Sequence, residues 1–156
     1  MIVVLEGPDG AGKSTVGQLL LALLEEKGVQ ASYMYQPDGV PKQFETIARQ
    51  GCLILDREKT ISHQVYTSAL PNRDWSSFTA PKEDLSEYDV YRVCLMPIDD
   101  PITEYSHIEY RQLKRAYYAL WLQGKMDRML HTRPDLLPYT ANLVVAQILE
   151  RLHRSM

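Results

Sequence analysis

Residues 2–15 read Ile2-Val3-Val4-Leu5-Glu6-Gly7-Pro8-Asp9-Gly10-Ala11-Gly12-Lys13-Ser14-Thr15, and their order decides the fold. A short apolar run passes straight into a Gly-rich turn, the pattern of a buried parallel strand. Gly7 to Ser14 match the spacing G-x-x-x-x-G-K-[ST]. From Lys13 to Lys27 the apolar residues Val16, Leu19, Leu20, Leu23 and Leu24 recur at helical spacing, and Gly28 supplies a stop. Strand, glycine loop and amphipathic helix therefore follow in the order that a phosphate-binding loop requires. The residue types have chemical reasons. Glycines let successive N–H groups turn inward as an anion nest, here Gly7, Asp9, Gly10, Ala11 and Gly12, with Lys13, Ser14 and Thr15 opening the helix. The helix directs its positive end at the phosphates. Lys13 reaches the β and γ oxygens of ATP, and the Ser14 hydroxyl is a ligand for Mg²⁺.

Working outward, Ala31 to Tyr35 reads as a second strand ended by the turn Pro37-Asp38-Gly39, and Lys42 to Gln50 as a short helix closed by Gly51. Cys52-Leu53-Ile54-Leu55 is a third buried strand that ends on Asp56-Arg57. In open α/β sheets, ligands sit beyond the carboxyl ends of the strands. Asp56 is there a candidate for Mg²⁺, and the planar fork of Arg57 suits a phosphate. The plainer alternative is a surface ion pair at a strand end. Ile61 to Leu70 reads as a helix, and Pro71 to Pro81 as a polar loop carrying Trp75 and Phe78. Val90 to Met96 is a fourth strand, and Pro97 to Tyr105 a connection rich in Pro and Asp.

A long helix is expected from about Ser106 to Leu130. Tyr110, Leu113, Tyr117, Leu120, Trp121 and Gly124 share one face, and Arg111, Lys114, Arg115 and Tyr118 another. Thr140 or Asn142 would cap a last helix with Val145, Ile148, Leu149 and Leu152 as its stripe. Strands alternating with helices imply a mostly parallel sheet covered on both sides, a three-layer α/β/α domain over residues 1–156.

Composition is ordinary for a globular chain, at 45% hydrophobic and 24% charged residues, which excludes disordered, collagenous and repetitive classes. Residues 1–105 carry 9 Lys/Arg against 16 Asp/Glu, and residues 106–156 carry 8 against 4. This asymmetry means either two solvated faces or a basic half turned to a polyphosphate; it does not advertise a nucleic-acid binder. Cys52 and Cys94 lie in apolar runs, where buried thiols behave as small hydrophobes, so neither disulfide nor metal is expected. Val16 to Leu24 is too short to span a bilayer, and no basic leader precedes the first strand, so a cytoplasmic location without membrane partners is expected.

Glu6-Gly7-Pro8-Asp9-Gly10-Ala11-Gly12-Lys13-Ser14-Thr15, Leu55-Asp56-Arg57 and Ser62-His63-Gln64-Val65-Tyr66 resemble the nucleoside monophosphate kinases, and thymidylate kinases most. The trimmed length is similar to kinases encoded by bacteriophages. The resemblance implies that Asp9 contacts the acceptor sugar and Arg57 holds the acceptor phosphate. It makes Gln64 and Tyr66 candidates for base or sugar contacts. The departures are equally specific. Glu58 stands where a Tyr usually follows Asp-Arg, and Tyr35 to Gly51 is too short for the family's base-stacking region, which makes Phe44 a poor match for it. Residues 97–105 contain no Arg or Lys, so the Arg-rich lid is missing. Arg111 and Arg115 either replace that charge or form a solvated face.

His63 is either an acceptor contact or structural, and His107, His131 and His153 share no metal-ligand spacing. Tyr33, Tyr35, Tyr117 and Tyr118 read as packing residues, and Trp75 and Phe78 as a stacking lid or a hydrophobic plug. The expected activity is ATP- and Mg²⁺-dependent transfer to a deoxynucleoside monophosphate. Lys13, Asp56, Arg57, Asp9, Arg111 and Arg115 would be the catalytic set, with His63, Gln64, Tyr66 and Trp75 near the acceptor. One alternative is a kinase for the hydroxyl of a hydroxymethylated pyrimidine in DNA, with Asp9 or Asp56 as base and Trp75 stacking a flipped base. Another is a nucleotide-binding regulatory module. The long helix offers a face for a homodimer, or for burial in its own core.

Overall fold

β1 (Ile2–Glu6) and β3 (Cys52–Asp56) are buried at every position, as continuous apolar runs flanked by parallel neighbours must be. A computed structural model describes residues 1–79 and 85–155. Together with β2 (Ala31–Tyr35), β4 (Val90–Pro97) and β5 (Arg128–Thr132), these strands form a five-stranded sheet in the order β2-β3-β1-β4-β5. Every neighbouring pair is parallel, and β1 sits in the middle with Val3 opposite Ile54 on one side and Tyr91 on the other. The carboxyl ends of all five strands therefore point the same way.

Among the described residues five α-helices cover the sheet: α1 (Lys13–Glu26), α2 (Glu45–Gln50), α3 (Lys59–Ala69), α4 (His107–Leu122) and α5 (Leu137–Arg154). One face packs Val3, Leu5, Ile54 and Val93 beneath Val16, Leu20 and Leu24 of α1 and Val144 and Ile148 of α5. The other packs Cys94 and Met96 beneath Val65 of α3 and Leu113, Tyr117 and Leu120 of α4, with Ala48 of α2 covering Val4 and Leu53. Each fully buried aliphatic side chain contributes roughly 1.5–3 kcal/mol. This is the three-layer α/β/α fold expected from the alternation of strands and helices. Gly17 lets α1 lie directly on β2, since a Cβ there would stand 2.4 Å from the Tyr33 ring.

Two sequence expectations fail at the C-terminal end. The helix expected over Ser106–Leu130 stops at Leu122, and Arg128–Thr132 is a fifth strand paired with β4 from Val93↔Arg128 to Pro97↔Thr132. Gly124 makes the break in a left-handed conformation (φ 76°). β5 is an edge strand in which only Thr132 is fully buried, so it carries no apolar run to mark it. Trp121 accordingly leaves the buried face and is half-exposed. The start of α4 is as expected: the Ser106 hydroxyl accepts from Glu109 N–H, and the Glu109 carboxylate accepts from Ser106 N–H.

The last helix begins at Leu137, with Pro138 in its first turn, and neither Thr140 nor Asn142 caps it. Both lie inside, with Thr140 Oγ1 donating to Leu136 O at 3.2 Å and Asn142 Nδ2 to Pro138 O at 3.0 Å. The expected stripe packs as read: Val145 and Ile148 are buried, and Leu149 and Leu152 lie against the same core. Cys52 and Cys94 are buried thiols, each pushed up to about 12 by burial. The expected loop over residues 71–81 falls partly outside the described residues; its described part runs from Pro71 to Thr79. No helix among the described residues is long and apolar enough to cross a membrane.

Candidate active site

The turn after β1 is built for close approach. Gly7 (φ 135°) passes so near β4 that a Cβ would stand 2.2 Å from Leu95 O, and at Gly10 (φ 80°) a Cβ would stand 2.5 Å from Pro101. The loop is pinned from three sides. Thr132 Oγ1 donates to Ala11 O at 2.9 Å, Tyr110 OH to Asp9 O at 2.8 Å, and Asp9 N–H to Tyr66 OH at 3.1 Å. α1 then starts at Lys13 behind Gly12, so its unpaired N–H groups face the loop's concave side.

Lys13 is only 7% exposed, and its ammonium donates to Gly7 O at 3.0 Å and Pro8 O at 2.8 Å. Burial, and secondarily the Arg57 charge, lower its pKa from 10.5 to about 8. Loop carbonyls are weak compensation for a buried cation, so a phosphate oxygen would be a better partner.

Asp56 ends β3 with one carboxylate oxygen taken and one left over. Tyr33 OH donates to Oδ2, while Oδ1 is buried with no hydrogen-bond partner. A buried carboxylate oxygen without a donor costs free energy unless a cation faces it. Asp56 and the exposed Ser14 line the same cleft, of about 320 Å³, with Asp9, Gly10, Gly12, Lys13, Tyr35 and Arg57. Carboxylate plus hydroxyl is a hard-oxygen donor set, which fits Mg²⁺.

Arg57 is 4% exposed and adopts a left-handed backbone (φ 79°), a strain of roughly 1–3 kcal/mol that marks functional positions. Its guanidinium donates to Glu6 (3.5 Å), Ser62 (3.4 Å), Tyr117 (3.3 Å) and Tyr66 (3.0 Å), and pairs with the Asp9 carboxylate. Burial opposes the charge, but the Tyr117 and Tyr66 oxygens with Glu6 and Asp9 outweigh it, so Arg57 stays protonated.

Glu6 is the hub beneath this pair. It is fully buried and accepts from Glu58 N–H (2.9 Å), Ser62 Oγ (2.7 Å), Tyr117 OH (2.7 Å) and Gly7 N–H (3.3 Å). A charge buried in this way must be fully partnered, and here it is. Glu58 in turn takes Arg92 in a two-point pair at 2.7 and 3.1 Å.

The fold brings Asp9, Lys13, Ser14, Asp56, Arg57 and Tyr66 together. Thr15 is exposed on the first turn of α1. Gln64 lies on the exposed side of α3, opposite Ser62 and Tyr66, and does not face the cleft. His63 packs against the Phe78 ring at 5.2 Å. Trp75 donates its indole N–H to Leu70 O at 2.8 Å and meets the Tyr66 ring edge-on at 5.9 Å, which makes it a plug rather than an open stacking surface. α4 turns Tyr110 and Tyr117 toward the loop and Arg57, whereas Arg111 and Arg115 stand more than a quarter-turn round its axis and are exposed. Arg111 is 3.3 Å from His107 instead, and Lys114 holds Asp100 at 2.9 Å.

Sequence reading did not single out Glu6, Ser62, Tyr33, Tyr110, Tyr117 or Thr132. Only Glu6 carried a signal, a charged residue inside a strand of otherwise buried residues. The tyrosines were expected as packing residues, and their rings do pack; their hydroxyls find Asp56, Asp9 and Glu6 only in three dimensions.

A second cavity of about 320 Å³ adjoins the other side of the loop, lined by Gly10, Pro97, Pro101, Arg133, Pro134 and Leu137 among others. A larger one of about 570 Å³ lies around Gln30, Arg49 and Tyr88, and none of the residues that line the Lys13–Asp56–Arg57 cleft lines it.

No family model matches the chain. Among solved structures it is similar to the thymidylate kinase of Ehrlichia chaffeensis, with a TM-score of 0.62 at 17% identity over 96% of this chain and 98% of that one. It is also similar to the YorR protein of Bacillus subtilis, solved with phosphorylated GDP, with a TM-score of 0.60 at 15% identity over 98% of both chains. A third likeness, to the protein APE1195, has a TM-score of 0.51 at 12% identity over 97% of this chain and 96% of that one. At such identities the likeness establishes the fold alone, the three-layer α/β/α architecture, over nearly the whole of each chain.

Proposed function

We propose that the chain is an ATP-dependent phosphotransferase whose acceptor is a deoxynucleoside monophosphate of the thymidylate type. The observation that carries this reading is the meeting of buried Lys13, Asp56 and Arg57 above one glycine loop, in a single cleft. The apolar cavity on the other side of that loop supports a nucleotide donor, because Pro97, Pro101, Pro134 and Leu137 suit a planar base. A thymidylate kinase and a protein solved with phosphorylated GDP share the fold, which favours a nucleotide acceptor.

In this mechanism the loop N–H groups and the α1 N-terminus bind the donor phosphates. Lys13 turns from the Gly7 and Pro8 carbonyls to a β or γ oxygen. Asp56 Oδ1 and the Ser14 hydroxyl would hold Mg²⁺, which when bound neutralises charge on the transferring phosphoryl group. Arg57 positions the acceptor phosphate, and Asp9 orients its sugar. An acceptor phosphate oxygen forms a bond to the γ phosphorus as the bond to the ADP oxygen breaks. Positioning and charge carry the rate.

Two substitutions test these roles. Arg57→Lys keeps the charge facing Glu6 but loses the two-point fork. It should raise the acceptor KM about tenfold while leaving the KM for ATP nearly unchanged. Equal effects on both substrates would remove Arg57 from acceptor binding. Asp56→Asn should shift the Mg²⁺ concentration for half-maximal rate upward by about tenfold or more. An unchanged Mg²⁺ dependence would reassign the Asp56 Oδ1 oxygen.

A second reading has its own observation. Arg57 is already shared between Glu6 and Asp9, and three carboxylates, Asp9 and Asp56 in the cleft and Glu6 buried beneath it, stand against Lys13 and Arg57. A neutral hydroxyl acceptor, such as a hydroxymethylated pyrimidine in DNA, would need no further cation, and Asp9 or Asp56 would take its proton. Label transfer from γ-labelled ATP decides, using deoxynucleoside monophosphates, their 5-hydroxymethyl forms and DNA bearing the same bases. A labelled diphosphate supports the first reading; label on DNA alone overturns it. ATP binding without transfer to any acceptor would leave a nucleotide-binding module.

A further inference from the structure

Tyr35, the last residue of β2, is 66% exposed although it stands among the residues that line the catalytic cleft. Its neighbours fix where the ring stands. Gln36 holds a left-handed backbone (φ 47°), unusual for a residue other than glycine, and its N–H donates to Asp56 O at 2.9 Å. The Gln36 side-chain amide donates to the Tyr35 hydroxyl at 3.2 Å. Parallel pairing sets Tyr35 beside Asp56, on the same sheet face as Tyr33, which packs under Gly17 and donates to Asp56.

The other aromatic rings considered for an acceptor base are already engaged. Phe44 packs against the cluster of Ile2, Val4 and Leu53, and Trp75 is tied to Leu70 O and Tyr66. Phe78 lies against His63 and Trp75, and the Tyr66 hydroxyl bonds Asp9 and Arg57. Sheet order adds direction. The apolar cavity suited to the donor base lies on the β5 side of the loop, and β2 is the strand at the opposite edge. A phosphoryl group moving in line from donor to acceptor travels away from β5, toward β3 and β2.

We propose that Tyr35 is the platform on which the acceptor's base stacks, with Gln36 holding the ring in place. This rests on the reading that the acceptor is a nucleotide, and it supplies the base contact missing from the short segment after β2. A stacked ring accepts any planar base, so it provides affinity more than choice between bases.

Calorimetric titration of the full chain, with a non-hydrolysable ATP analogue present, tests the assignment. The probes are thymidine 5′-monophosphate and deoxyribose 5-phosphate, which differ by the base alone. The base should tighten binding by about tenfold in the wild type and in Tyr35→Phe, and by little in Tyr35→Ala. Affinity for the ATP analogue should be the same in all three proteins. A base-dependent gain retained in Tyr35→Ala overturns the platform and leaves the proposed function standing. Failure of the wild type to bind either probe overturns the monophosphate reading, and the platform with it.

Discussion

Lys13→Met is expected to lower phosphoryl transfer on the order of a thousandfold while leaving the ligand-free fold as stable as before, or more so. The two effects share a cause. Lys13 is a buried cation whose nearest partners are two loop carbonyls, and burial brings its pKa from 10.5 to about 8. That difference corresponds to a cost of about 3 kcal/mol for keeping the buried charge in the ligand-free fold. Methionine keeps the packing of the stem and removes the charge. The pH dependence has a definite sign. The unfolded chain holds this proton until about pH 10.4, whereas the folded chain releases it near 8, so between those values the unfolded state binds more protons. The contribution of Lys13 to stability therefore rises with pH across that window. Thermal melts from pH 7 to 9.5 should show wild type gaining on Lys13→Met. A variant that melts about 5 °C or more below wild type at pH 7 would sink this account, as would retained transfer.

Glu6→Ala is expected to cost about 3–5 kcal/mol and to lower the melting temperature by roughly 10 °C. The substitution removes the acceptor for two backbone N–H groups, the Ser62 hydroxyl and the Tyr117 hydroxyl, and strips Arg57 of its fully buried counter-charge. Each orphaned donor is then left facing the buried space the carboxylate had filled. Tyr117→Phe removes its bond to Glu6 and the one it accepts from Arg57 but spares the charge pair, so a loss of about 1–2 kcal/mol separates the hydroxyl from the ion pair. Urea denaturation of the three proteins gives the ranking directly. A Glu6→Ala protein as stable as Tyr117→Phe would show that Glu6 is not the hub.

The two variants probe opposite strategies within one site. Glu6 is partnered by Ser62 of α3, Tyr117 of α4 and the backbone N–H groups of Gly7 and Glu58, and pairs with Arg57. Lys13 is under-partnered, with two loop carbonyls as its hydrogen-bond acceptors. Arg57 lies between them: fixed below by Glu6, it meets above the half-exposed Asp9 carboxylate, which an incoming phosphate would have to displace.

The chain's order of residues determined the architecture. A fully buried parallel strand has to be apolar throughout, and an amphipathic helix has to repeat its apolar residues at 3.6, so β1, α1, β3 and β4 announce themselves locally. The loop from Gly7 to Ser14 is equally local, because its chemistry is made by consecutive backbone groups. What the sequence could not decide lies at edges and across distance. β5 is paired along one edge only and has no apolar run, so its residues looked like a continuation of α4 until pairing with β4 defined them. The direction of a helical side chain depends on how the helix is rotated against the sheet; that rotation turned Tyr110 and Tyr117 inward and left Arg111, Arg115 and Gln64 outside. Glu6, Arg57 and Tyr117 are separated by 51 and 60 residues, and only the packing of α3 and α4 together over the sheet gives the buried charge its partners. Short-range patterns are written in one segment, whereas a hydrogen bond between distant residues exists only once the core has closed around it.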